Sequence, residues 1–260
     1  MQSMNLFEIP SFTIEDKYLY FGKNVTKGTQ VKYKKDNIYY KLDENGREGF
    51  VEFLVSEILN CSDLDKNLFV KYSVCKVNDR MACCSKSFLN ANEEFFTMNA
   101  IYKILTGNSD LADYLASLSE AKARLQYLCE TIANFGFNKD EFYLYLNRLL
   151  QLDYLIENTD RHPHNFGLII NNVTGNCRIA PIFDNGRALH TVDETYCSCT
   201  ISGSFGDQIT AFNFPVIPAF RIDYDKAFNF LKAATSDFGK RKETEFLIKQ
   251  LEVNEDLFRL

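Results

Sequence analysis

No apolar run in this 260-residue chain is long enough to cross a bilayer, which argues against a membrane-spanning helix. An excess of positive charge is also missing: 29 Lys and Arg face 35 Asp and Glu, for a formal net charge of -6. Composition therefore implies neither a nucleic-acid nor a membrane partner, although local lysines and metal ions can still neutralise a polyanionic cofactor. There is no internal repeat and no low-complexity tail, and no secretory leader precedes the first folded-looking stretch, so a cytoplasmic setting is expected. Histidine is scarce. Two of the three histidines, His162 and His164, fall in one short stretch.

What is present fits an ordinary folded protein. The hydrophobic fraction is 46% and the charged fraction 25%, and the length suffices for one large domain or two lobes. Eight cysteines (Cys61, Cys75, Cys83, Cys84, Cys129, Cys177, Cys197 and Cys199) lie in varied apolar or strand-like settings, as expected of reduced structural thiols. Neither Cys83-Cys84 nor Cys197-Ser198-Cys199 has the intervening spacing of a structural zinc knuckle.

Along the chain, "KYLYFG", "TQVKYKK" and "NIYYKL" read as short strands, with a turn at Asp36-Asn37. "GFVEFLVSEIL" follows as a helix carrying Glu52 and Glu57, and "NLFVKYSVCKV" resumes β character before the turn "NDR". From about Asn90 the balance changes. "EEFFTMNAIYKIL", "DLADYLASLSEAKARLQYLCETIANF" and "KDEFYLYLNRLLQLDYLIEN" favour helices, since apolar residues return every three or four positions. "FGLII" and "CRIAPIFD", separated by the turn-rich "NNVTGN", suit a hairpin, and two closing helices are expected beyond Pro218. The expected division is a β-rich lobe over residues 1–89 and a helical lobe with a short hairpin over 90–260.

The stretch "NTDRHPHNFGLII" places Asp160 five positions before Asn165, a spacing used in protein-kinase catalytic loops. An aspartate there can orient or deprotonate a hydroxyl, and an asparagine amide oxygen can hold a hard divalent ion. After the hairpin comes "FDNG", whose Asp184 is a second candidate metal ligand for triphosphate oxygens. Lys41 ends the "NIYYKL" strand, where a lysine can neutralise phosphates if a helix carboxylate holds its ammonium; Glu52 or Glu57 can fill that role. Upstream, "FGKNVTKGTQVKY" offers Gly22, Thr26, Lys27, Gly28 and Thr29 as a phosphate-cradling loop, although it is neither G-x-G-x-x-G nor Walker A.

Plainer roles compete for each residue. Asp160 could cap a helix or pair with Arg161, Asp184 could serve only the turn, and Lys41 could face solvent. His162 and His164 suggest zinc, but with one residue between them and no clear third ligand they suit organisation of the loop better.

Taken together, Lys41, Glu52, "LIENTDRHPHNFGLI" and "IAPIFDNG" resemble the HipA-like serine/threonine kinase family, in its compact bacterial form. The likeness covers most of the chain and is strongest from Leu155 to Gly186. It implies an α+β, bilobal protein-kinase-like fold, with a small β-rich amino-terminal lobe and a mainly helical carboxyl-terminal lobe. It also implies transfer of the ATP γ-phosphoryl group to a protein hydroxyl. Asp160 would be the catalytic aspartate, Asn165 and Asp184 the Mg2+ ligands, Lys41 the phosphate-contacting lysine and Glu52 its partner. In such enzymes the phosphate-binding loop can carry an autophosphorylated serine; this chain has Thr26 and Thr29 there instead. The protein substrate is unknown, and a regulatory protein partner fits the family. A kinase-like ATP sensor and a small-molecule hydroxyl kinase are the alternatives.

Overall fold

The computed structural model describes residues 9–20, 30–108, 110–158, 160–189 and 218–260. It has a bilobal α+β architecture with a β-rich amino-terminal sheet and a mainly helical remainder. Two compact units divide the chain. One comprises Met1–Ser87, Asp184–Glu194 and Phe220–Leu260, the other Phe88–Phe183 and Thr195–Ala219.

The first unit is built on a five-stranded sheet in the order β1-β4-β5-β3-β2. Its strands are β1 (Ser11–Phe12), β2 (Lys32–Lys35), β3 (Ile38–Leu42), β4 (Ser73–Val77) and β5 (Arg80–Lys86). The β2–β3 and β4–β5 connections are two-residue turns in which Asp36, Asn37, Asn78 and Asp79 all have positive φ. Asn and Asp tolerate that conformation best among residues with a side chain, so these positions set the hairpin registers. Alternation then divides the sheet. Tyr33, Tyr40, Leu42, Cys75, Val77 and Ala82 form a core cluster with Ile14, while Lys32 and Lys41, cross-strand partners, share the other face.

Helix α1 (Glu48–Asn60) packs against β5 and β4. Gly49 explains how closely: a Cβ there would lie 2.7 Å from Asp43 Oδ1 and 2.9 Å from the Cys83 amide nitrogen. Asp43 Oδ1 instead accepts a hydrogen bond from the Gly49 amide at 2.7 Å, satisfying a helix-start donor. The closing helices α6 (Tyr224–Phe238), α7 (Lys242–Val253) and α8 (Glu255–Phe258) also belong to this unit. Phe230 and Phe238 of α6 meet Phe53 and Phe50 of α1 edge to face, with ring centroids 5.7 and 5.2 Å apart. Phe50 and Phe53 are buried, and each contributes about 1.5–3 kcal/mol, while Phe230 and Phe238 are half-buried.

The second unit pairs β6 (Glu93–Thr97), β7 (Gly167–Asn171) and β8 (Cys177–Ile179) in a three-stranded antiparallel sheet. Its helices are α2 (Met98–Thr106), α3 (Leu111–Ser117), α4 (Ala121–Asn134) and α5 (Lys139–Ile156). Gly167 is required here. Its φ is +156°, and an added Cβ would collide with the Phe96 carbonyl oxygen.

Three local expectations are corrected. The described part of "KYLYFG", residues 17–20, is no strand: Asp16–Tyr18 forms a 3-10 turn, and Leu19 makes an isolated bridge to Tyr33. "EEFF" lies in β6 rather than in a helix, because Glu93–Thr97 pairs in register with β7, and α2 starts only after Thr97 Oγ1 caps the Ala100 amide at 3.1 Å. The helical run after Asp110 breaks at Leu118–Glu120 into α3 and α4. The described cysteines, Cys61, Cys75, Cys83, Cys84, Cys129 and Cys177, are free thiols; Cys197 and Cys199 lie outside the described residues. Among the described residues no helix is long and apolar enough to cross a membrane.

Candidate active site

In the first unit, Lys41 projects from β3 toward α1. Its Nζ lies 2.8 Å from Glu52 Oε1 and 2.5 Å from Asp184 Oδ1. Glu57, the other candidate partner, turns away and pairs with Lys71 at 3.2 Å. The Lys41 side chain is 13% exposed and that of Glu52 2%, so neither occupies the solvent-facing position a charged residue ordinarily takes. Burial alone pulls the Lys41 ammonium down, but the carboxylates of Asp184 and Glu52 outweigh it and hold its pKa well above the ordinary lysine value. These two carboxylates thus favour the charged form of Lys41. The Tyr72 ring lies beneath it, 5.7 Å from Nζ to centroid.

Glu52 has a second task. Its Oε2 accepts the Asn185 amide at 3.0 Å, so one buried carboxylate ties the strand lysine to the backbone of "DNG". Asp184 itself has φ +63°, a left-handed conformation that Asp and Asn adopt more readily than other residues bearing a Cβ. Further on, Arg47 Nη2, at the start of α1, donates to the carbonyls of Ala188 and Leu189 at 2.8 and 2.7 Å.

Sequence reasoning overlooked Lys32. It sits directly across from Lys41 in the β2–β3 register, and burial, then the Lys41 charge, pulls its pKa down. Like charges directly opposite on a sheet are unfavourable, and the carboxylates of Asp184 and Glu52 offset this repulsion in part. The period-two count from Lys41 back through the Asp36-Asn37 turn was the signal that would have found it.

In the second unit, Asp160 and Asn165 lie on the loop between α5 and β7. Asp160 is partly buried and its amide donates to Asn158 Oδ1 at 3.0 Å. Asn165 is buried, 1% exposed; its amide donates to the His162 carbonyl at 2.9 Å and its Nδ2 to the Asp160 carbonyl at 3.4 Å. Its Oδ1 is enclosed without a hydrogen-bond partner. A buried amide oxygen left unsatisfied costs about 1–3 kcal/mol, and a hard cation is the ligand that such an oxygen suits.

His162 and His164 contact each other within this loop. The His162 and His164 rings meet edge to face at 5.6 Å, and His162 Nδ1 accepts the His164 amide at 3.3 Å, contacts internal to the loop. Among the described residues no group of three His, Cys, Asp or Glu is arranged to hold a metal ion. Arg161 pairs with Asp153, Nη2 to Oδ1 at 3.0 Å. Gly22, Thr26, Lys27, Gly28 and Thr29 lie outside the described residues.

The architecture has a solved counterpart. The chain aligns with the crystal structure of the Helicobacter pylori proinflammatory kinase CtkA over 96% of its own length and 95% of that chain, with a TM-score of 0.61 and 17% identity. The fold is that of a kinase. At this identity the likeness concerns the fold alone, and it agrees with the architecture implied by the motif resemblance. A second solved structure, the Shewanella oneidensis MR-1 toxin–antitoxin complex of HipA, HipB and operator DNA, aligns at a TM-score of 0.44 and 14% identity. There the match covers 89% of this chain and 56% of the other. No family model matches the sequence, and no curated protein does.

Proposed function

We propose that the chain is an ATP- and Mg2+-dependent serine/threonine protein kinase that transfers the γ-phosphoryl group to a protein hydroxyl. The observation that carries this reading is Lys41, a buried strand lysine held between Glu52 and Asp184 in a chain with a kinase fold.

Each residue then has a physical task. Lys41 presents a positive charge to polyphosphate oxygens, and Glu52 fixes its direction. Lys32 adds a second cation that an anion would stabilise. The Asp160 carboxylate accepts the hydrogen bond of the acceptor hydroxyl and takes its proton as the oxygen attacks phosphorus. Asn165 Oδ1 and Asp184 would hold Mg2+, which when bound neutralises charge on the phosphate oxygens. Gly22, Thr26, Lys27, Gly28 and Thr29 complete the proposed phosphate loop, and the acceptor includes this chain itself if a loop threonine is modified. Positioning and fixed charge would supply most of the rate enhancement.

Incubation with γ-labelled ATP and Mg2+, with and without a panel of protein acceptors, tests the reading. Label on the protein or an acceptor, abolished by Asp160→Ala in a folded variant, is expected. Nucleotide binding without any transfer across the panel would reject it in favour of a nucleotide-binding role.

A further inference from the structure

Arg161 is the largest fully buried side chain among the described residues, with no exposed surface. An unpaired guanidinium in that position would be strongly destabilising. Its fork is used on two sides. Nε and Nη2 each reach Asp153 Oδ1 or Oδ2 at 3.0 Å, and Nη1 donates to the Phe183 carbonyl at 2.7 Å. Asp153, itself 1% exposed on α5, also accepts Asn158 Nδ2 at 3.1 Å, and Asn158 Oδ1 accepts the Asp160 amide. One helix carboxylate thus leads by two short hydrogen-bonded paths to Asp160 and to the residue just before Asp184.

We propose that Asp153 and Arg161 are a positioning pair for phosphoryl transfer, setting the Asp160 loop through Asn158 and the main chain ahead of Asp184 through Phe183. The proposal rests on the kinase reading above. Its physical basis is the rigid planar fork of arginine, which serves a carboxylate and a separate carbonyl at once. A lysine at the same place keeps the charge beside Asp153 but is a single point donor on a flexible stem.

Arg161→Lys is therefore the informative variant, with Asn158→Ala as a second that cuts only the path to Asp160. In a folded Arg161→Lys protein, kcat falls by about 100-fold while KM for ATP changes little, the pattern of a displaced catalytic group. Amide hydrogen exchange of the ligand-free protein accelerates over residues 158–166 and at 183–184 but not in β2–β5. Asn158→Ala lowers kcat in the same direction and loosens 158–166 alone. Unchanged exchange in these segments, or a kcat loss no larger than the unfolded fraction, overturns the clamp. A wild-type protein that transfers nothing overturns the kinase reading and the catalytic half of the proposal, while the exchange data still decide whether the clamp exists.

Discussion

Lys41 Nζ lies 2.5 Å from Asp184 Oδ1. In the proposed reaction both groups serve the nucleotide, one for phosphate and one for metal, yet here each neutralises the other. Asp184 therefore competes with phosphate for the lysine. Asp184→Asn is expected to abolish Mg2+-dependent transfer while strengthening metal-free ATP binding several-fold, on the order of 1 kcal/mol. Calorimetric titration with ATP in chelator measures this; weaker metal-free binding in the variant would contradict it.

Glu52 is the more expensive residue to remove. Glu52→Ala strips a buried carboxylate from Lys41 Nζ and from the Asn185 amide together, and breaking a buried pair from one side costs about 3–5 kcal/mol. Glu57→Ala breaks only the contact with Lys71, whose side chain is 61% exposed, and is expected to change stability by at most about 1 kcal/mol. Urea unfolding of the two variants separates these roles. Comparable losses would mean that Glu52 is not the organising carboxylate.

Lys32 provides a proton-linked signature of anion binding. Burial and the neighbouring Lys41 lower its pKa in the free protein, and a polyphosphate beside it favours the charged form. Nucleotide binding at alkaline pH should take up protons, so affinity declines as pH rises through the free-protein pKa. The binding enthalpy should then vary with the ionisation enthalpy of the buffer, and Lys32→Met should remove that variation. An unchanged buffer dependence in Lys32→Met would place the anion elsewhere.

Acid stability should depend on Glu93. Hydrogen bonds from Arg178, at 3.1 and 2.7 Å, hold its pKa down at about 2 against an ordinary 4.5. A carboxylate with a depressed folded-state pKa adds stability that is complete above its unfolded value and lost as pH falls toward the folded one. Glu93→Gln should therefore be less stable than wild type at neutral pH, with the difference shrinking between pH 4.5 and about 2. Urea midpoints across that interval measure it; a constant difference would mean that the pair is not responsible.

Much of the site was legible because its residues sit at element ends and in turns, where local chemistry is specific. The strand before Lys41, the helix after it and "FDNG" could be read from periodicity and turn residues. Choosing Glu52 over Glu57 needed the helix phase against the sheet: five residues turn an α-helix by roughly 140° beyond a full turn, so only one can face β3. Glu93–Thr97 read as helix because its strand identity comes from β7, some seventy residues later. Arg161 was read only as a possible partner of Asp160, and its burial could not be seen. Its burial depends on Asp153 and on the Phe183 carbonyl, and an arginine in a polar loop ordinarily faces water.

The central claim is phosphoryl transfer dependent on Asp160. Intact-mass analysis after incubation with ATP and Mg2+, alone and with protein acceptors, followed by localisation of any added phosphate, tests it most directly. The account predicts added phosphate on a serine or threonine, lost in a folded Asp160→Ala variant. Phosphate that still appears in Asp160→Ala, or none on any protein despite bound nucleotide, would contradict it.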